Sequence, residues 1–200
     1  MCNLFTFPKY SNCTQLKFIP VPELSDEKIM LLVKEGHLSE LTTLFDRYQA
    51  NLYNFFFRLT LDRAASQDLT QNLFYRVIRY RKSFDPAHGG FRAWIYRMAR
   101  NVHFDFCKLE QKVPGSRNDP SAVEDHVAEE ATGFTQDQYQ RLDEAMAQLS
   151  SDQREVLVLS RYQGLKYEEI ARIRESSVAA VKVQVFRALR QLRALYFKQL

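Results

Sequence analysis

Residues 91–112, FRAWIYRMARNVHFDFCKLEQK, constrain this chain more than any other stretch. Threaded on a helix, Phe91, Trp94, Ile95, Met98, Val102, Phe106 and Leu109 recur at three- and four-residue steps and make one apolar stripe. The other side carries Arg92, Tyr96, Arg97, Arg100, Asn101, His103, Phe104 and Lys108. Guanidinium and ammonium groups meet phosphates, flat rings stack on unpaired bases and amides read base edges, so this face suits nucleic acid. The competing reading is an ordinary amphipathic helix with a solvated basic face. The sequence on either side decides between them.

Only six glycines and six prolines stand among 200 residues, which disfavours an all-β fold with many tight turns. The expectation is an all-α chain of one large or two small domains. Charge is unevenly spread. Residues 172–198 hold seven basic side chains against one acid, whereas residues 113–138 hold six acids against one arginine. That asymmetry predicts a nucleic-acid-facing end and an acidic tether. Cys2, Cys13 and Cys107 form no disulfide framework and lack zinc spacing, which fits reduced thiols in a cytoplasmic protein. No apolar run approaches the roughly 18 residues that span a bilayer, and the N-terminus does not read as a signal peptide, so membrane insertion is not expected.

Taken in order, residues 1–24 mix apolar residues with Pro8, Pro20 and Pro22 and read as a flexible tail. Four helices are expected over 25–112. The first is capped at Ser25 and closed by Gly36. The second, from Leu38 to Leu59, turns Leu41, Leu44, Phe45, Tyr48, Leu52, Phe55, Phe56 and Leu59 inward. The third, from Asp62 to Lys82, buries Leu69, Leu73, Val77 and Tyr80. The loop FDPAHGG (84–90) then separates it from the helix described above. Residues 113–138 are too acidic and too poor in large apolar residues to order themselves and read as a flexible linker. Over 139–200 short helices return. Asp152 and Glu155 make a capping-box pattern, Gly164 ends that helix, and 167–173 forms a short one. A turn at 174–176 leads to a final helix capped by Ser177, whose inner face is Val178, Val181, Val185, Leu189, Leu192 and Tyr196. A short helix, a tight turn and a longer basic helix make a helix-turn-helix, with the second helix placed for the major groove.

Two helical modules in this order, one suited to separated strands and one to duplex DNA, resemble a known family. The stretches DRAASQDLTQNLFYRVIRYRKSFDP (62–86) and GFRAWIYRMARNVHFDF (90–106), then LSSDQREVLVLSRYQGLKYEEIARI (149–173) and VAAVKVQVFRALRQLR (178–193), look like a bacterial sigma-70 family protein of group IV, the extracytoplasmic-function class. The resemblance implies that region 2 (25–112) docks on the clamp helices of the largest subunit of core RNA polymerase through Asp68, Leu69, Gln71, Asn72 and Phe74. It implies that Phe84, Arg92, Tyr96, Arg97, Arg100, Asn101, Phe104 and Lys108 meet the −10 element of promoter DNA as single strand, with a flipped base near Phe84, Arg97 and Asn101. It implies that region 4 (139–200) reads the −35 element with Lys182, Gln184, Phe186 and Arg187, while Arg190 and Arg193 approach phosphates. An anti-sigma factor is an expected partner.

The chain departs from the family pattern in places. Lys166 stands where a capping Ser is frequent, forfeiting roughly 1 kcal/mol. Glu175 and Ser176 replace a frequent Gly-aliphatic pair, which predicts a strained turn. Ala179, Ala180, Val183 and Gln184 replace the usual Gly-Thr and Ser-Arg, and Gln184 suits adenine better than guanine. Asn72 stands where an acid is common.

An ordinary helix-turn-helix regulator would explain the C-terminal half but not the face at 91–112. A sigma-mimicking decoy that binds an anti-sigma factor usually carries a receiver domain that this sequence lacks. Catalysis, cofactors and metals are not expected. His37, His88, His103 and His126 are scattered, the His103–Cys107 pair is too few ligands for a closed zinc site, and no Gly-rich phosphate loop is present.

Overall fold

The computed structural model describes residues 24–110 and 135–198. The expected tail with Cys2 and Cys13, and all of the acidic stretch but its last residues, lie outside the described residues. Eight α-helices make up the described fold: α1 (Asp26–Glu35), α2 (Leu41–Thr60), α3 (Arg63–Tyr80), α4 (Phe91–Glu110), α5 (Gln136–Ala147), α6 (Ser151–Leu157), α7 (Tyr167–Ile173) and α8 (Val178–Lys198). Single 3-10 turns at Leu38–Glu40, Arg81–Ser83 and Pro86–His88 bend the chain between α1 and α4.

Local chemistry sets the boundaries. Ser25 Oγ accepts from the Lys28 N–H, and Gly36 at φ 115° donates its N–H to the Leu32 and Val33 carbonyls, a left-handed stop that a β-carbon would strain. Asp62 caps α3 by accepting from the Ala65 N–H at 3.0 Å. The N-terminus of α4 is capped from a distance of 64 residues: Glu27 Oε1, in the first turn of α1, accepts from the Phe91 N–H at 3.1 Å. The same oxygen would lie 2.9 Å from a β-carbon at Gly90, so that glycine admits the carboxylate. Helix α5 begins at Gln136, ahead of the expected end of the linker, because Gln138 Oε1 accepts from the Thr135 N–H at 2.8 Å.

The cap of α6 differs from the sequence expectation. Ser150 and Gln153 hold it, with the Ser150 N–H donating to Gln153 Oε1 at 3.2 Å. Asp152 and Glu155 are not its capping pair, because the helix starts two residues earlier, and Glu155 is buried instead. A π turn over Val158–Tyr162 carries the chain from α6 to Gly164. Lys166 supplies no side-chain cap to α7; the Glu169 carboxylate accepts from the Lys166 N–H at 2.8 Å in its place. Glu175 sits at φ 52°, the left-handed region expected of the turn, where a non-glycine residue is strained.

Helices α1 to α4 and α5 to α8 form two layers around one continuous apolar cluster. Helix α4 packs on α7, and α2 packs on α6 and the π turn. Ring packing is dense in the first layer, where Phe55 meets Tyr96 edge-on at 5.6 Å and Phe91 meets Tyr48 at 5.2 Å. Most residues expected inside are buried. Phe45, Tyr80 and Leu109 are exposed, each standing at the margin of its stripe. Arg154 ties the layers together, donating to the Met146, Ala147, Leu149 and Leu59 carbonyls at 2.5–3.4 Å. Four carbonyls at two helix ends are thereby satisfied by one guanidinium.

Candidate nucleic-acid interface

Helix α4 divides the residues expected to meet single-stranded DNA into two stripes. Arg97, Asn101, Phe104 and Lys108 recur at steps of four and three residues along one side, with Asn101, Phe104 and Lys108 exposed. Lys108 Nζ lies 4.4 Å from the centre of the Phe104 ring, a cation–π pair on an open surface. Arg92, Tyr96 and Arg100 point instead at the second layer. The Arg92 guanidinium donates to the Gln163 carbonyl. The Tyr96 hydroxyl donates to Gln163 Oε1 at 2.6 Å, and Arg100 Nε lies 2.7 Å from Glu155 Oε1. Tyr96 is a core residue, contrary to its expected place on the open face; an aromatic ring one turn past Arg92 faces the Phe55 ring rather than solvent. Burial holds its phenol well above the ordinary range, so it remains a neutral donor.

Between the 84–90 loop and the first half of α4 lies an open cleft of about 590 Å³, lined by Tyr80, Asp85, His88, Trp94, Arg97 and Asn101 among others. The loop is braced from both ends. Asp85 accepts from the Ala87 N–H at 3.0 Å and pairs with His88 Nδ1 at 2.8 Å, and Lys34 Nζ donates to the Phe84 carbonyl at 2.7 Å. The Ala87 N–H, followed by His88, keeps the Asp85 carboxyl below its usual range. Phe84 does not line this cleft. Its ring is fully buried behind Trp94, 5.5 Å away and edge-on, and against Phe91 at 6.1 Å. The rings open to the cleft are Tyr80 and Trp94, both of which periodicity alone assigns to the interior. Phe84 backs Trp94 from the core.

His103 contributes no charge to this face. Burial, with the nearby Arg154 charge, pushes its imidazole down to about 4. Cys107 Sγ lies 3.5 Å from His103 Nε2, and burial raises the thiol. Among the described residues no three His, Cys, Asp or Glu side chains gather as metal ligands would.

On α3 the expected polymerase-docking residues also divide. Asp68, Gln71 and Asn72 are exposed, whereas Leu69 and Phe74 are core residues, because they fall on the inner face with Leu73 and Val77. The outer ridge continues through Tyr75, 62% exposed, and Ile78. Spacing reveals both: they extend Asp68, Gln71 and Asn72 by further three- and four-residue steps. Asn72 Oδ1 also accepts from Arg76 Nε at 3.0 Å, and Arg76 reaches Asp105 of α4 at 2.8 Å.

On α8, Val181, Val185 and Ala188 are buried, and Ser177 Oγ caps the start by accepting from the Ala180 N–H at 3.1 Å. Lys182, Phe186, Arg187, Arg190 and Arg193 are exposed. Gln184 is half-buried at the edge of the core, and its side-chain oxygen is shielded from solvent without a hydrogen-bond partner among the described residues. Val183 stands outward near Phe186, which is 66% exposed. Val183, which departs from the family pattern, is also placed for contact one turn before Phe186 and Arg187.

Known proteins share the order of the two helical halves. The family described as Sigma-70 region 2 matches residues 44–113, and Sigma-70 region 4 matches residues 139–192. An ECF RNA polymerase sigma factor SigK of Mycobacterium sp. (strain KMS) is 26% identical over 185 residues, covering 90% of this chain and 95% of the relative. The protein of that name from Mycobacterium bovis (strain BCG / Pasteur 1173P2) is 29% identical, covering 86% and 95%. Among solved structures, CnrH in complex with the cytosolic domain of CnrY superposes with a TM-score of 0.64 at 22% identity, covering 85% of this chain and 96% of that one. The sigma factor RpoE of Bartonella quintana, in complex with the anti-sigma factor NepR, gives 0.62 at 24% identity, covering 78% and 96%. No described helix is long and apolar enough to cross a membrane. With both halves of the two-region pattern matched in order along more than half its length, the chain belongs to the sigma-70 family as an extracytoplasmic-function, group IV sigma factor, a non-enzymatic director of transcription initiation.

Proposed function

We propose that this chain docks on core RNA polymerase through the outer ridge of α3, holds an unpaired −10 base in the cleft beside α4, and reads the −35 element as duplex with α8. The observation that carries the reading is the cleft itself. It joins two rings, Tyr80 and Trp94, to a guanidinium and an amide, Arg97 and Asn101, within one concavity. A flipped base needs stacking surface and edge-directed hydrogen bonds together. Unstacking costs a few kcal/mol, and stacking on an aromatic returns about 1–3 kcal/mol per base. The ridge Asp68, Gln71, Asn72, Tyr75 and Ile78 is polar at one end and apolar at the other, which suits a protein partner. The clamp helices of the largest polymerase subunit are the proposed partner there, and an anti-sigma factor is a proposed regulator.

On α8, Phe186 and Val183 offer apolar contact to thymine methyl groups, between Lys182 and Arg187 for phosphates or guanine edges. Gln184 reaches a base edge only by rotating its amide outward. Phe186→Ala is expected to change the preference at one base pair of the −35 element by about 1–3 kcal/mol. Arg193→Ala is expected to weaken all duplex sequences alike and to lower the logarithmic salt slope by about 1. Binding isotherms against single-substituted duplexes separate the two. A flat response to Phe186→Ala would remove base reading from that position.

The decisive experiment loads the purified chain on bacterial core polymerase and maps initiation on genomic DNA fragments. Specific start sites, with shared elements near −10 and −35, are expected. Duplex binding without polymerase binding would make the α3 assignment wrong and leave a helix-turn-helix regulator.

A further inference from the structure

The loop that walls one side of the cleft is tied at both ends to α1. Lys34 Nζ donates to the Phe84 carbonyl at 2.7 Å, where the loop begins. Glu27 Oε1 accepts from the Phe91 N–H at 3.1 Å, where it ends. The two anchors stand seven residues apart on α1, which is about 10.5 Å along the helix axis and returns them to one face. Seven residues of extended chain would span about 23 Å. Tying both ends to one helix face shortens that span and bows the middle of the loop outward, where Asp85, Pro86, Ala87 and His88 are exposed. Asp85, His88 and Gly89 of this bow line the cleft together with Trp94, Arg97 and Asn101.

The helix that carries the anchors is itself fixed. Asp26, in its first turn, accepts from Arg47 Nη1 at 2.6 Å and from the Tyr48 hydroxyl at 2.5 Å, both on α2. The Tyr48 ring in turn meets Phe91, the first residue of α4, edge-on. The Phe91 N–H has no partner within its own helix, so the Glu27 carboxylate satisfies it and complements the positive end of the helix dipole. Gly90 leaves the room, since a β-carbon there would lie 2.9 Å from Glu27 Oε1. The bow holds its own shape through Asp85, which accepts from the Ala87 N–H and pairs with His88. Its shape is therefore local, whereas its position comes from α1.

We propose that Glu27 and Lys34 are positioning residues for promoter opening: α1 is a splint that sets the place of the 84–90 loop against Trp94, Arg97 and Asn101, and with it the width of the pocket for the unpaired base. Neither side chain touches the base. The proposal rests on the strand-binding reading of the cleft, and it brings into that step a helix that holds none of the residues assigned to DNA or polymerase. A base held by stacking and by edge-directed hydrogen bonds tolerates little movement of its walls. A displacement of about 1 Å takes such bonds out of range.

The full chain carrying Glu27→Ala and Lys34→Met tests the splint. Trp94 is the sole tryptophan and lines the cleft, so its fluorescence reports on the loop without DNA. Acrylamide quenching of Trp94 in the free variant is expected to rise about twofold. On core polymerase, promoter opening is expected to fall about tenfold while polymerase binding stays within about twofold. Discrimination between the preferred base and the others at the captured −10 position is expected to fall about fivefold, because a widened pocket no longer aligns the edge contacts. Glu27→Gln with Lys34→Arg keeps an acceptor and a donor and is expected to recover most of the lost opening and discrimination. A thermal melt checks folding, and the single variants Glu27→Ala and Lys34→Met carry the test if the pair does not fold. Unchanged quenching, opening and discrimination would overturn the splint. So would a fall in opening matched by a fall in polymerase binding with discrimination intact, the mark of a merely structural role. Arg97→Ala/Asn101→Ala separates the two readings: normal opening by that chain removes the strand reading, whereas a defect there beside normal opening by the α1 variant removes the splint alone.

Discussion

Replacing Arg97 and Asn101 together by alanine is expected to lower promoter opening about a hundredfold while core polymerase binding changes by less than about twofold. Each side chain supplies hydrogen bonds to a base edge or phosphate worth about 1–3 kcal/mol, and the pair acts on the same displaced base. Two modest losses of that size multiply to the stated factor. Docking is expected to stay intact because Arg97 and Asn101 line the cleft whereas Asp68, Gln71, Asn72, Tyr75 and Ile78 do not. Removing Arg97 also deletes its bond to the Arg172 carbonyl. Opening is read by permanganate reactivity of unpaired thymines, and docking by native gel or anisotropy with core polymerase. Unchanged reactivity would remove the cleft from the promoter contact.

The second large effect is on stability. Phe84→Ala is expected to destabilise the chain by about 3–5 kcal/mol in urea unfolding, the usual loss for truncating a fully buried phenylalanine. The ring has no solvent exposure and packs on Phe91 and Trp94, while its backbone carbonyl holds Lys34. Trp94 loses its backing in the same step, so the cleft loosens as the core does. A loss below about 1 kcal/mol would mean that the loop docks without its ring. This outcome distinguishes Phe84 as a support for the base pocket from Phe84 as the stacking surface itself, because a surface ring would cost little stability when removed.

The correction at Phe84 shows where sequence reasoning stopped. The 3.6-residue periodicity identifies α2, α3 and α4, and the caps at Ser25, Gly36 and Ser177 mark helix ends, because these signals are local and each turn of helix buries one face. The same periodicity cannot say how far around a helix the interior extends. On α4 it left Tyr96 on the open side, where a second contact partner buries it. On α3 it places Leu69 inside, whereas the family motif, which mixes core and surface positions, points to Leu69 and Phe74 for docking rather than to the exposed Tyr75 and Ile78. A residue in a loop, such as Phe84, has no period at all.

Glu155 illustrates the complementary limit. Its sequence neighbours suggest a cap, and the side chain has the right chemistry for one. Its position after Ser150 and Gln153 had already satisfied the helix end freed it to meet Arg100, 55 residues away in sequence. Glu27 capping α4 is a pairing of the same kind.

The amino-acid sequence by itself determined the two helical modules, the basic and aromatic character of α4, the helix-turn-helix of α7 and α8, and the sigma-70 family, because helix periodicity, capping chemistry and motif order are properties of neighbouring residues. Only the tertiary structure decided which face of α4 remains open, that Tyr80 and Trp94 rather than Phe84 line the cleft, and that Glu155 and Gln163 bind the arginines beside it. Those outcomes depend on which surfaces from distant parts of the chain meet. Burial and pairing between them are set by packing in three dimensions rather than by spacing along one helix.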